Sequence, residues 1–353
     1  MRVFRGYRHP GIAPACVLTI GNFDGVHRGH QAMLALLRSE AEHRGLPTCV
    51  LTFEPHPRDF FARAAGTPQL APARIATLRD KLIELERCGI DQTVVLRFDR
   101  ALASLSPQAF VDEVLQAGLN ARYVLVGDDF RYGARRAGDY AALDAAGEAR
   151  GFDVARMNSY EVHGLRVSSS AVRAALAAGD LAQTARLLGR NYTISGHVVH
   201  GRKLGRELGA SQSGAGDGFR TLNLRFGHAN PAVTGIFVVR THGLSPQPLD
   251  GVASLGVRPT VDDGGRVLLE VHCFDWPDSL GAEGGYGRLA RVELLAKLRD
   301  EARYDTLDAL TVAIDRDAGA ARVFFAAQAA RSTAGTGAAP HAAVGRQTTR
   351  DRI

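Results

Sequence analysis

Between Ala15 and Arg190, short apolar runs alternate with longer stretches of helical period. That alternation restricts the first half of the chain to strand-helix-strand units around a parallel sheet. Residues 16–20, 48–53, 92–98 and 121–126 read as strands, and residues 30–44, 74–87 and 107–117 as the helices between them. A helix over residues 170–188, apolar at Val172, Leu176, Leu181, Leu187 and Leu188, closes this half. The expected architecture is a doubly wound α/β domain, in which ligands bind beyond the carboxyl ends of the strands. Chemistry is therefore expected on the loops after Ile20, Phe53 and Val126.

The texture changes near Arg190. Residues 192–199, 221–226, 235–239, 252–255, 267–274 and 289–295 form short alternating segments separated by glycine-rich turns, which predicts a compact antiparallel barrel. A final helix is predicted over residues 306–327. Residues 331–353 lack periodicity and are rich in Ala, Gly, Thr and Arg, so they read as a disordered tail. The expected domains are residues 1–190 and 191–330, followed by that tail. At about 150 residues per domain, a chain of 353 residues accommodates two such cores.

A composition of 45% hydrophobic and 23% charged residues excludes the disordered and fibrous classes. No run approaches the roughly 18 apolar residues of a membrane span, and the apolar stretch 15–20 is too short for a signal peptide, so a cytoplasmic location is expected. Cys16, Cys49, Cys88 and Cys273 lie far apart without a C-x-x-C pair, which predicts reduced, buried thiols rather than a zinc cluster or a disulfide framework. The net charge is +6, but half of it comes from four Arg and one Asp within residues 331–353. Basic patches with interleaved aromatics are missing, so nucleic acid is not the expected partner. Only Lys81, Lys203 and Lys297 stand against forty arginines, a compositional bias rather than a polyanion surface.

After the first strand comes Gly21-Asn22-Phe23-Asp24-Gly25-Val26-His27-Arg28-Gly29-His30, leading directly into a helix. A helix N-terminus offers free N–H groups and partial positive charge to a phosphate, and glycines allow close backbone approach. Two imidazoles three residues apart at that entrance are expected to neutralise charge on an α-phosphate and a departing pyrophosphate. No G-x-x-x-x-G-K-[ST] loop occurs, which excludes the P-loop class. The segment resembles the G-x-H-x-G-H loop of the nucleotidyltransferase superfamily, and in its full form the loop of bacterial flavin adenylyltransferases. The resemblance makes His27 and His30 catalytic, and puts Gly21, Asn22, Phe23, Asp24, Gly25 and Gly29 at ATP.

Thr52-Phe53-Glu54-Pro55-His56-Pro57 and Gly127-Asp128-Asp129-Phe130-Arg131-Tyr132-Gly133 resemble the flavin-site loops of that family, which implies flavin contacts for Phe53, Pro55, His56, Pro57, Asp129 and Phe130. Val167-Ser168-Ser169-Ser170-Ala171-Val172-Arg173 resembles its second phosphate motif. By that resemblance Ser168, Ser169 and Ser170 bind ATP and Arg173 clamps a phosphate, although serines before a helix are also ordinary N-caps.

In the second half, the run from Gly196 to Gly209 resembles the glycine-rich opening of riboflavin kinase, placing Gly201, Lys203, Leu204, Gly205 and Arg206 at ATP. The family continues with F-P-T-A-N-L; this chain inserts residues 210–218 and then reads Phe219-Arg220-Thr221-Leu222-Asn223-Leu224. Thr221 and Asn223 are i and i+2 on a strand and share a face, where two neutral oxygens suit Mg²⁺. In Leu269-Glu270-Val271-His272-Cys273, alternation turns Glu270 away from the more apolar face, and the resemblance makes it the base for the ribityl hydroxyl. The run 298–304 completes the pattern and puts Arg299 and Glu301 near the flavin.

Together the motifs resemble the bacterial bifunctional riboflavin kinases/FAD synthetases. The resemblance implies riboflavin, FMN and ATP as small-molecule substrates, Mg²⁺ as metal, and FMN and FAD as products. Two other readings stay open: an FAD synthetase whose kinase is impaired by the insertion and Arg220, and a non-catalytic flavin- or nucleic-acid-binding regulator.

Overall fold

The structure is a computed structural model and describes residues 1–162, 164–200, 221–225, 230–257, 267–281 and 284–335. The first half runs β1 (Arg2–Arg5), β2 (Cys16–Ile20), α1 (Arg28–Arg44), β3 (Thr48–Glu54), α2 (Pro57–Ala64), α3 (Leu78–Arg87), β4 (Gln92–Arg97), α4 (Arg100–Ser104) and α5 (Pro107–Ala109). A π-helical turn, Phe110–Gly118, extends α5; β5 (Ala121–Gly127), α6 (Tyr140–Arg150) and β6 (Asp153–Met157) complete the layer. The six strands pair in the order β1-β4-β3-β2-β5-β6, all parallel.

The inner strands are apolar on both faces because both are covered. Val17, Val50 and Leu125 pack with Leu34 and Leu37 of α1 and Leu85 of α3. Leu18, Leu51, Val94 and Val124 pack with Phe110, Val114 and Leu143 on the other side. The sheet is thus doubly wound, as the alternation implied. Its direction reverses at β2, flanked by β3 and β5, which puts the switch-point crevice at the loops after β2 and β5.

The first half closes with the hairpin β7 (Glu161–Val162) and β8 (Leu165–Arg166), then α7 (Ser169–Ala177) and α8 (Leu181–Leu188). The barrel strands follow: β9 (Tyr192–Val199), β10 (Thr221–Arg225), β11 (Gly235–His242), β12 (Leu249–Val257), β13 (Val267–Cys273) and β14 (Leu289–Arg299). They close in the order β10-β13-β12-β11-β14-β9, with every pair antiparallel. In β13 burial alternates strictly: Leu269, Val271 and Cys273 face the core, whereas Glu270 and His272 face outward. Two compact units result. Met1–Arg303 holds the six-stranded sheet, the β7–β8 hairpin and the barrel, and Tyr304–Ile353 has as its described part the helix α9 (Leu307–Gly335).

Four expectations need correction. The helix expected over residues 74–87 starts only at Leu78, because Thr77 caps it by accepting from Asp80 N, while Ile75 N and Ala76 N are held by the Asp24 carboxylate. The helix expected over residues 170–188 is two helices, since Asp180 starts a new one by accepting from Gln183 N. The tail does not begin at Arg331, because α9 continues through Gly335; residues 336–353 lie outside the described residues. Of the cysteines, all free thiols, Cys88 is only partly buried.

Within the first unit the sheet layer and the barrel touch through α3 and the segment before it. Ser195 N of β9 donates to Asp80 Oδ2 at 3.3 Å, and Arg74 N donates to Asn230 O at 3.3 Å. Asp80 is itself aligned by Thr77 Oγ1 at 2.7 Å. Thr77→Ala should therefore destabilise the protein by about 1–2 kcal/mol, the cost of an N-cap, and urea unfolding of the two proteins checks it.

Candidate active sites

The loop after β2 turns sharply, with φ 47° at Phe23, 83° at Gly25 and 40° at Val26. A Cβ on Gly25 would lie 2.7 Å from Ile75 Cγ2, so only glycine fits. At the centre of the loop is Asp24, 1% exposed. Its Oδ2 accepts from Arg173 Nη2 at 2.5 Å and from Ile75 N at 3.3 Å, and its Oδ1 accepts from Ala76 N at 3.2 Å. Arg173 Nε also donates to Ala73 O at 2.6 Å. Asp24 and Arg173 thus form an ion pair, and two of the three guanidinium nitrogens of Arg173 are engaged within the fold.

His27 is the N-cap of α1, its Nδ1 accepting from His30 N at 3.3 Å. An accepting Nδ1 leaves the ring proton on Nε2, which is therefore a donor. The His30 ring stacks on His27 with centroids 3.6 Å apart. Burial lowers the pKa of His27 to about 4, with Arg173 and Arg190 adding to the effect and Asp24 opposing it. Burial also holds His30 well below the usual imidazole value, helped by His27 and Lys81. Both imidazoles are therefore neutral at pH 7, and His27 presents a directed Nε2–H. His30 Nδ1 and Asn22 Oδ1 are buried without a hydrogen-bond partner among the described residues.

The N-terminus of α7 meets this loop. Ser169 Oγ donates to Asp24 O at 3.1 Å, and a Cβ on Gly29 would lie 3.3 Å from Val167 O, so glycine permits the close approach. Ser168 is the cap of α7, accepting from Ala171 N at 3.2 Å, and Ser170 is exposed. Two helix N-termini therefore converge at the switch point with two unpartnered polar atoms between strand ends, an arrangement suited to a polyphosphate.

The two expected flavin loops lie on either side, at the carboxyl ends of β3 and β5. Phe53 meets Phe98 edge-on at 5.8 Å, and Phe98 contacts Phe60 and Phe61, the latter exposed. Phe130 stacks on Tyr132 at 5.5 Å, and Asp129 is exposed. Pro55 follows a cis peptide bond and Pro57 opens α2. His56 faces inward instead: it caps α2 by accepting from Arg58 N at 3.1 Å, and burial with Arg74 lowers its pKa to about 3.

Beneath the loop lie charges that the sequence reading did not assign. Arg74 is buried among Asp59 (Nη1–Oδ2 2.9 Å), Glu54 (Nη2–Oε2 3.4 Å) and Asp24 (Nε–Oδ1 3.9 Å). Lys81 has no exposed surface; its Nζ donates to Thr52 Oγ1 at 3.2 Å, and burial beside Arg74 lowers its pKa to about 8. A signal was present, since lysine is rare in this arginine-biased chain and Lys81 sits at a core position of its helix.

On the barrel, Asn223 pairs with Glu270 and Thr221 with His272 across β10 and β13, so the four side chains share the outer face. Ser254 of β12 pairs with Glu270 on its other side and donates to Glu301 Oε1 at 3.3 Å. Arg299 lies at the end of β14 and donates to Asp300 O at 2.9 Å. Asn223 Oδ1 is buried without a hydrogen-bond partner among the described residues, so a neutral oxygen is available beside a carboxylate, and the pair fits a hard, oxygen-seeking cation. Gly201, Lys203, Leu204, Gly205 and Arg206, the insertion and Arg220 lie outside the described residues.

Two family models divide the chain between them: FAD synthetase matches residues 10–171 and riboflavin kinase residues 188–325. A bifunctional riboflavin kinase/FMN adenylyltransferase of Escherichia coli (strain K12) is 44% identical over 92% of this chain and 98% of its own length. The chain belongs to the bifunctional riboflavin kinase/FMN adenylyltransferase family. The Pseudomonas fluorescens member is also 44% identical, over 90% of this chain and 95% of its own. Among solved structures, one titled a macrolide-efflux protein from Streptococcus pneumoniae matches with a TM-score of 0.71 and 25% identity, covering 91% of this chain and 99% of that one. Family membership and the two folds agree, the sheet carrying one family's motifs and the barrel the other's.

The histidine environments set a pH dependence. A neutral His27 in the folded state and an ordinary one in the unfolded state leave stability unaffected above pH 6.5. Below it the unfolded chain takes up the proton first, so stability falls toward pH 4, by up to roughly 3 kcal/mol. Urea midpoints measured from pH 7 to pH 4 should decline, and more gently in His27→Asn, which retains a cap.

Proposed function

We propose that the chain phosphorylates riboflavin with ATP to give FMN and ADP, and then joins FMN to the AMP of a second ATP, giving FAD and pyrophosphate. The observation that carries the second step is the meeting of the α1 and α7 N-termini around His27, His30 and Asn22. Residues 1–190 take the adenylyl transfer and residues 191–330 the kinase step.

In adenylyl transfer a phosphate oxygen of FMN attacks the α-phosphorus of ATP, and the bond to the pyrophosphate oxygen breaks. No protein nucleophile is needed, so the protein acts by positioning and by charge. His27 Nε2–H donates to phosphate oxygen, while the fixed charges of Arg173, Arg190 and Lys81 stand behind the loop. Ser169 and Ser170, at the start of α7, face the same polyphosphate. The isoalloxazine ring lies against Phe53, Pro55 and Pro57 on one side and Asp129 and Phe130 on the other, with His56 fixing the start of α2 from inside.

In the kinase step Glu270 takes the proton of the terminal ribityl hydroxyl as its oxygen attacks the γ-phosphorus and ADP leaves. Thr221 and Asn223 would hold Mg²⁺ against the ATP phosphates; the ion supplies charge neutralisation there. Glu301 and Arg299 border the flavin side of that face. The partners are small molecules, and no described helix is long and apolar enough to cross a membrane. ATP-dependent flavin chemistry and free thiols fit a cytoplasmic setting.

Separate sites give separable defects. His30→Ala should slow FAD formation from FMN by the equivalent of about 2–4 kcal/mol and leave FMN formation from riboflavin intact. Glu270→Gln should do the reverse. Chromatographic time courses started from riboflavin and from FMN, each with ATP and Mg²⁺, decide the matter; parallel loss of both steps in either variant would refute independent sites.

A further inference from the structure

The strained turn before His27 presents two carbonyls, those of Gly25 and Val26, away from the sheet. One side chain takes up both. Arg190 Nη2 donates to Gly25 O at 2.7 Å and Nη1 to Val26 O at 3.2 Å; Nη1 also reaches Leu188 O at 3.1 Å, and Nε pairs with Glu84 Oε2 at 3.1 Å. Gln31 of α1 supports the same arrangement, its Nε2 donating to Val26 O at 2.9 Å and Leu188 O at 2.7 Å. Arg190 lies outside the stretch that matches FAD synthetase, 10–171, and inside the stretch that matches riboflavin kinase, 188–325.

We propose that Arg190 is a positioning residue for adenylyl transfer: it fixes the Gly25–Val26 turn, and through it the direction of His27, although it lies within the stretch that matches riboflavin kinase. The inference rests on the adenylyl-transfer reading of the His27 loop. Asp24 anchors the loop from the side of α7 and residues 75–76, and Arg190 anchors it from the opposite side, so the backbone between Phe23 and His27 has no free end. A planar guanidinium with donors in a fixed fork is suited to holding two adjacent carbonyls and a carboxylate together; a lysine ammonium is a single point charge and reaches only part of that set.

A staple that merely joined α8 to α3 would need the Leu188 and Glu84 bonds alone. The bonds to Gly25 and Val26 fall on the two residues directly before the capping imidazole. The charged and titratable groups facing His27 are Asp24, Arg173, Arg190 and His30, with Lys81 behind His30.

The test uses the full-length protein and follows riboflavin to FMN and FMN to FAD separately. In Arg190→Met, kcat for FAD formation should fall on the order of 10²-fold while KM for ATP and the kinase rate stay within about threefold of wild type. Arg190→Lys should recover part of the lost kcat, and Glu84→Gln, which leaves the carbonyl bonds in place, should keep it. The acid limb of the FAD-forming rate should move to higher pH in Arg190→Met, because removing a nearby positive charge lets His27 protonate more readily.

An unchanged kcat for FAD formation in Arg190→Met would overturn the proposal, as would a parallel fall in both steps or a change confined to KM. If the wild-type protein makes no FAD from FMN, the adenylyl-transfer reading fails before any variant is compared, and the role of Arg190 fails with it.

Discussion

The buried carboxylate of Asp24 is the constraint on which the first site is built. A lone carboxylate in that position would be expelled or protonated; it is retained because a guanidinium and two backbone amides are aimed at it, with Arg74 beyond them. Each partner belongs to a different part of the chain. Arg173 brings the N-terminus of α7 to the loop. Ile75 and Ala76 hold the segment before α3 out of helical form, and Arg74 carries that segment on to Asp59 and Glu54. Solvation of one charge thus sets where α3 begins and brings the N-terminus of α7 to the loop. The interaction is weak evidence for stability as such, since a buried pair recovers little more than its desolvation cost. It does specify one arrangement of several that the same elements would otherwise permit.

The barrel solves a different problem. Among the described residues its interior is filled by Leu222, Leu224, Leu269 and Val271, while Asn223 and Glu270 stand on the outer face. Pairing of β10 with β13 fixes Asn223 opposite Glu270 without any side-chain bond being needed between them. A slip of one residue would turn both into the core, at a cost that no local compensation meets. The packed interior is what keeps the outward pair in register.

Much of this was legible in the sequence because it depends on periodicity. Strand and helix types follow from burial on one or two faces, and the barrel strands from alternation with glycine-rich turns. The edge strands β1 and β6 escaped because short, arginine-containing segments carry no such signal, even though the sheet requires them. The start of α3 was misplaced for a tertiary reason: Arg74 to Thr77 have a helical pattern, but the Asp24 carboxylate claims the amides that a helix would need. Lys81, Arg74 and Asp59 were likewise hidden, since a charged residue signals exposure until a partner is known. Arg190 fell at the point where the texture changes and read as a boundary rather than as part of a site.

The motifs point to the crevice without giving the charge of its histidines. Histidines at a phosphate site suggest imidazolium, and His27 and His30 are instead neutral, because burial and nearby cations disfavour a further positive charge. The positive potential comes from guanidinium groups tied into the fold, Arg173 to Asp24 and Arg190 to Glu84. Direction comes from His27, whose tautomer is set by capping: an Nδ1 that accepts from a backbone N–H leaves Nε2–H to donate. Separating charge from direction in this way keeps the crevice organised without its ligand. The guanidinium groups are fixed on the loop itself, Arg173 at Asp24 and Arg190 at Gly25 O and Val26 O, and the histidines need not repel one another. On the adenylyl-transfer reading of this loop, preorganisation of this kind lowers the reorganisation required as charge shifts from the α-phosphate to the departing pyrophosphate, which is the step at which a site without a nucleophile must act.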